Sequence, residues 1–136
     1  MSISECRLIN LPKITNSRGN LTYVEENNQI PFEIKRMYYC YDTPTGIDRG
    51  GHVHKNLHQL IIAIGGSFDV ILDDGFERIS FHLDEPNLGL YVPSMIWHEL
   101  NNFTPGAICL VIVSEVYTKE VTVSSYETYR KIVVDE

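Results

Sequence analysis

His52 and His54 stand one residue apart in the run Arg49-Gly-Gly-His-Val-His-Lys55. Side chains alternate across a β-strand, so two imidazoles at this spacing leave a strand from the same face. Arg49 sets a permanent positive charge close by in the chain. Imidazole titrates at ~6.5 and also ligates metals, so the pair suits either proton transfer near neutral pH or a metal site. Taken alone, the pair is as well explained by two hydrogen-bonded strand residues. The further presence of Tyr91, Trp97, His98 and Arg49 tips the reading toward chemistry.

Arg18, Arg36 and Arg49 are candidates for an anionic ligand. Arginine grips phosphate through two parallel N–H bonds and keeps its charge when partly buried. Arg36 is the most informative of them, because it heads the aromatic run Met37-Tyr-Tyr-Cys-Tyr41. Tyr38, Tyr39 and Tyr41 must divide between two strand faces, with one in the core and one free to line a cavity as a proton donor or stacking platform. Other polar residues read more plainly. His82 suits an exposed strand, and His58 borders an apolar run. Asp73-Asp74 resembles a carboxylate pair, but Gly75 behind it makes a tight turn the better reading. Glu25-Glu26 fits a solvated strand end.

These residues need strands to hold them. Segments 7–11, 21–25, 34–42, 58–64, 67–72, 76–83, 88–92 and 107–113 are apolar, β-branched or aromatic. Turn residues separate them: the cluster over 15–20, Gly65-Gly66, Asp73-Asp74-Gly75, a turn over 84–87 and Thr104-Pro-Gly106. One helix is predicted over 124–133, where Tyr126, Tyr129, Ile132 and Val133 recur at helical spacing and Ser124 or Ser125 can cap. Many short strands at regular spacing predict an antiparallel sandwich or small barrel.

Composition narrows the class. The 136 residues, 43% hydrophobic and 21% charged, fit one soluble domain over 1–136. No apolar run approaches the roughly 20 residues of a membrane span, and the start MSISECRLIN lacks a secretory pattern. A net charge of −7 weighs against general nucleic-acid binding but not against an anion held by a few arginines. Cys6, Cys40 and Cys109 are odd in number and widely spaced, which predicts reduced thiols and a cytoplasmic protein.

The spacing of His52, His54 and Gln59, followed by Gly89, Pro93 and His98, resembles the two cupin motifs. Metal-binding cupins hold a divalent ion with three histidines and a glutamate. Here Gln59 stands at the glutamate position, and a neutral amide is a poor ligand for metals that favour imidazole. Over a longer span the chain resembles the cupin-type dTDP-sugar 3,4-ketoisomerases and related WxcM-like proteins. The matching stretches are Ser17-Arg-Gly19, Ile34-Lys-Arg-Met-Tyr-Tyr39, Arg49-Gly-Gly-His-Val-His-Lys55, Gln59, Ile71-Leu-Asp-Asp-Gly75, Gly89-Leu-Tyr-Val92, Trp97-His-Glu99 and Ser114.

That resemblance implies an all-β fold, a cupin or jelly-roll small β-barrel with a short C-terminal helix. It implies a substrate, dTDP-4-keto-6-deoxyglucose, whose ketone moves to C3 without metal or cofactor, in deoxyaminosugar biosynthesis for surface polysaccharides. It implies a homodimer that exchanges N-terminal strands. His52 becomes the candidate base at C3 and His54 the candidate proton shuttle at C4, with the two roles interchangeable, and Tyr38 assists. Arg18, Arg36, Arg49, Lys55 and Gln59 become candidates for substrate contacts, while Tyr91, Trp97 and His98 shape the pocket. A non-catalytic sugar-nucleotide-binding cupin and a metal-dependent cupin enzyme are the alternatives. The chain departs from the family after Tyr117, where Thr-Lys-Glu-Val-Thr-Val-Ser-Ser-Tyr126 replaces an acidic Tyr-Asp-Glu-like segment followed by Asp-Tyr-Ile-Arg.

Overall fold

A computed structural model describes residues 2–53, 55–117 and 123–134, with His52 described by its backbone. In chain order the strands are β1 (Arg7–Asn10), β2 (Lys13–Asn16), β3 (Gly19–Thr22), β4 (Arg36–Cys40), β5 (Arg49–His52), β6 (Gln59–Gly65), β7 (Phe68–Asp73), β8 (Arg78–Leu83), β9 (Leu88–Val92), β10 (Trp97–Asn101) and β11 (Ile108–Val113). Helix α1 spans Tyr126–Val134, and a 3-10 turn over Ile3–Glu5 precedes β1. A five-stranded sheet runs β1-β9-β6-β11-β4, and a four-stranded sheet runs β5-β10-β7-β8. Every paired strand is antiparallel.

Alternation explains how the sheets meet. Phe68, Val70 and Leu72 of β7 pack against Ile61 and Ala63 of β6, Leu90 and Val92 of β9, and Cys109, Val111 and Val113 of β11. Their period of two puts them all between the sheets. The central strand β6 is buried on both faces, so its sequence reads as a continuous apolar run rather than an alternation. On its outer side Leu60 and Ile62 are covered by Leu11, Ile30 and Phe32. Cys40 and Cys109 are register partners, and all three cysteines are free thiols, as the spacing suggests.

The structure differs from expectation in three places. The sequence predicts a turn over 15–20 and then a strand over 21–25. The chain instead makes a hairpin, β2 on β3, around Ser17-Arg18, and the strand ends at Thr22. Gly19 at φ +119° permits that tight turn. This hairpin forms its own two-stranded sheet, with Ile14 and Leu21 more than half exposed. The two large sheets also do not close into a continuous barrel among the described residues, since no hydrogen-bonded pair joins them. The architecture is a jelly-roll sandwich. The histidine strand β5 ends at His52, Val53 makes only an isolated bridge, and His54 lies outside the described residues.

Helix α1 begins close to its predicted position. Ser125 caps it, its Oγ accepting the Thr128 N–H at 3.4 Å. Among the described residues no helix is long and apolar enough to cross a membrane.

Candidate active site between the two sheets

The inner face of the five-stranded sheet carries Arg36, Tyr38 and Gln59. Arg36 pairs in register with Val113, and Val113 with Gln59, so the three share one row across β4, β11 and β6. Tyr38 lies in the next inner row, opposite Val111. The Arg36 guanidinium sits over the Tyr38 ring at 5.2 Å and over the Tyr117 ring at 5.6 Å. Its Nε is buried with no hydrogen-bond partner among the described residues. A buried donor left open in this way is suited to an acceptor brought by a ligand. Gln59 is buried as well.

The four-stranded sheet supplies the facing groups. His98, only 3% exposed, is in register with Leu72 of β7 and with His52 of β5. The ladder is irregular between His98 and Glu99, after which Gly50 pairs with Glu99 and Arg49 with Leu100. Gly50 is required there: its φ is +85°, and a Cβ would come 3.0 Å from the His98 carbonyl oxygen. The glycine therefore lets β5 approach β10 closely enough to set His52 in register with His98.

Electrostatics ties the two sheets together. Burial pushes the Tyr38 hydroxyl up to about 12, with the Cys109 and Cys40 thiols adding to the rise and the Arg36 and Arg49 charges opposing it. Tyr38 thus remains a proton donor throughout the neutral range, within the field of both arginines.

Not every candidate converges on this space. Arg18 lies exposed at the tip of the β2–β3 hairpin, its N–H bonded to Asn16 Oδ1 at 2.8 Å. Lys55 is exposed. Tyr91 belongs to the outer face of the five-stranded sheet, against Leu60 and Phe32. Its hydroxyl meets His58 Nδ1 at 2.8 Å, and Arg7 covers its ring at 4.8 Å. Trp97 faces the side of β10 opposite to His98. It packs with Val53, Val123 and Tyr129, and its Nε1 donates to Glu99 Oε2 at 2.9 Å. The Asp73-Asp74 turn reading is right: Asp73 Oδ1 accepts the Gly75 N–H, and Asp74 Oδ1 accepts those of Phe76 and Glu77.

Sequence reasoning missed the anchoring of α1. Asp73 Oδ2 accepts both Arg78 Nε and the Tyr126 hydroxyl at 2.9 Å. The fully buried Tyr129 donates to the Met95 and Asp73 carbonyl oxygens. The signal was present in the helical spacing of Tyr126 and Tyr129, which marks a buried helix face but not what it rests on.

The donor set does not favour a transition metal. At the position of the cupin glutamate, Gln59 offers an amide in place of a carboxylate. Proton chemistry suits the gathered groups better: a neutral tyrosine, a buried histidine and fixed arginine charge.

Comparison with known proteins agrees with this architecture. A curated relative from Aneurinibacillus thermoaerophilus, named TDP-4-oxo-6-deoxy-alpha-D-glucose-3,4-oxoisomerase, is 41% identical over 95% of this chain and 93% of its own. The structure of a TDP-quinovose 3,4-ketoisomerase from Campylobacter jejuni matches with TM-score 0.91 at 40% identity, covering 95% of this chain and 99% of that one. A variant 3,4-ketoisomerase from Thermoanaerobacterium thermosaccharolyticum, solved with TDP-4-keto-6-deoxyglucose, matches with TM-score 0.94 at 33% identity over 99% and 98% of the two chains. Residues 4–134 match the family described as FdtA, WxcM-like, C-terminal. Over nearly its full length, this chain belongs to that WxcM-like family.

Proposed function

We propose that this protein is a TDP-sugar 3,4-ketoisomerase acting on TDP-4-keto-6-deoxyglucose. The observation that carries the reading is that Arg36, Tyr38 and Gln59 of one sheet and His98 of the other all lie on the inter-sheet side, with His52 in register beside His98. A relative with the same fold binds that sugar nucleotide.

The chemistry is balanced without a redox partner. The C3 proton is acidic because C3 lies α to the C4 ketone. A base, His52, takes it, and the electron pair moves to O4, which gains a proton to give the 3,4-enediol. Loss of the O3 proton and delivery of a proton to C4, the part assigned to His54, leave a ketone at C3 and a hydroxyl at C4. The two histidine roles are interchangeable. Tyr38, held neutral, donates to the developing oxyanion, and Arg36 and Arg49 bind sugar or pyrophosphate oxygens. His98 and Gln59, both buried on the inter-sheet side, complete the set. The product is a 3-keto sugar, so the reaction class that consumes it is transamination at C3, as in deoxyaminosugar biosynthesis.

The working unit is a homodimer that exchanges N-terminal structure. The β2–β3 hairpin, which forms its own two-stranded sheet and buries little within this chain, is a candidate for the exchanged element. The outer side of the five-stranded sheet also presents an apolar hollow lined by Met37, Tyr39, Ile64 and Leu110, the kind of exposed apolar surface a subunit interface covers. Exchange would carry Arg18 to the partner's site.

Proton NMR of TDP-4-keto-6-deoxyglucose incubated in D2O with chelator tests the activity. Deuterium entry at C3 and a new 3-keto species, both lost in His52→Asn, are expected. A folded protein that binds TDP and causes no exchange would instead be a sugar-nucleotide-binding cupin, and activity lost to chelator would point to a metal enzyme.

A further inference from the structure

Val53 separates the two motif histidines, and its backbone is held from an unexpected direction. Its N–H donates to the Val123 carbonyl at 2.9 Å, and the Val123 N–H donates back to the Val53 carbonyl at 3.1 Å. This isolated antiparallel bridge is the one ladder contact of Val53 among the described residues. Both valine side chains are buried with Trp97 and Tyr129. Val123 lies just before α1.

The far side of that contact is firmly anchored. Tyr129 donates to Met95 O at 2.7 Å and to Asp73 O at 3.1 Å. Tyr126 donates to Asp73 Oδ2, and Arg130 Nε to Gly75 O at 3.3 Å. Val133 occupies the space above Gly75, where a Cβ would collide with it. Residue 53 shares a peptide plane with each neighbour, so fixing its N–H and C=O constrains the chain on both sides.

We propose that α1 acts as a positioning element for the histidine run, through the Val53–Val123 bridge, with Val123 and Tyr129 as positioning residues. This rests on the ketoisomerase reading, in which His52 and His54 move the protons. Loss of the bridge leaves Arg36 and Tyr38 on the facing sheet in place but loosens the aim of the imidazoles, so the chemical step suffers more than nucleotide binding does.

The test compares Val123→Pro, which removes one bridge donor, with the conservative Val123→Ile and with Tyr129→Phe, which keeps the ring. His52→Asn runs alongside. Steady-state kinetics, TDP affinity and imidazole NMR spectra are recorded for each full-length protein. Val123→Pro should lower kcat at least tenfold with TDP Kd within twofold, and should move or broaden the His52 and His54 signals while leaving those of the remote His82 unchanged. Val123→Ile should restore both readouts. Wild-type kcat and unmoved His52 and His54 signals in Val123→Pro would overturn the proposal. If Val123→Pro fails to fold, Tyr129→Phe decides by the same criteria. Equal losses of kcat, TDP affinity and folded fraction would mean a purely structural helix, and would also overturn it. Unimpaired turnover in His52→Asn would instead sink the ketoisomerase mechanism, while the NMR signals still report on positioning.

Discussion

Arg36 and Tyr38, two residues apart on β4, form a cation–π pair whose guanidinium lies 5.2 Å from the ring centroid. The pairing places a fixed charge on the face of a phenol that burial keeps protonated. A charge in that position favours negative charge developing beside it, which is what an enediolate requires.

Tyr38→Phe should therefore cut kcat by roughly 10²–10⁴, the usual worth of one acid–base group, with TDP affinity nearly unchanged. Arg36→Met should act on the other parameter and raise KM. Steady-state kinetics on both variants checks this split; a Tyr38→Phe enzyme with wild-type kcat would remove Tyr38 from the mechanism.

Alkaline pH should unfold the protein early. Burial pushes Cys6 and Cys109 from 9.0 to about 12 and Tyr38 from 10.0 to about 12, and it raises Tyr129 too. The unfolded chain releases these protons first. Their contribution is thus intact below about pH 9 and is lost as pH rises toward about 12. Urea midpoints measured between pH 8 and 11 should fall steadily above 9. A flat profile would show that these groups are better solvated than the structure has them.

Gly75→Ala should destabilise the fold by about 1–3 kcal/mol. The new methyl meets Val133 of α1, and the residue sits at φ +95°. Urea denaturation monitored at Trp97, which is packed under the same helix, gives the value; a change below about 0.5 kcal/mol would mean that the helix shifts freely.

Subunit complementation tests the proposed hairpin exchange. Arg18→Ala and His52→Asn homodimers should each be impaired. Mixed and refolded together, they should recover activity, because each heterodimer regains one site with its own His52 and its partner's Arg18. No recovery in confirmed heterodimers would place Arg18 in the site of its own chain, or in none.

Much of the fold was legible because its strands are short and set off by turns. Strand β9 falls at 88–92 as read, and the Asp73-Asp74-Gly75 turn closes the β7–β8 hairpin. What failed was facing. Every residue of β9 but Leu88 is buried, so alternation could not tell which side Tyr91 took. Trp97 is a different case. It adjoins His98 on one strand, and period two alone forbids both from facing the same space. The turn over 15–20 and a strand from Leu21 were legible, but β2 was not, because Lys13–Asn16 is exposed along its whole length and leaves no apolar pattern to read. The role of α1 escaped because a bridge between Val53 and Val123 leaves no trace in either local sequence.

That bridge also sets a timetable for synthesis. During translation the histidine run emerges long before Val123 and Tyr129 do. Until α1 has left the ribosome and docked, Val53 lacks its ladder partner. Non-local contacts of this kind close late. If α1 positions the histidine run as proposed, a nascent or prematurely terminated chain would have both sheets and that run, yet it would turn over little substrate until its last helix seats.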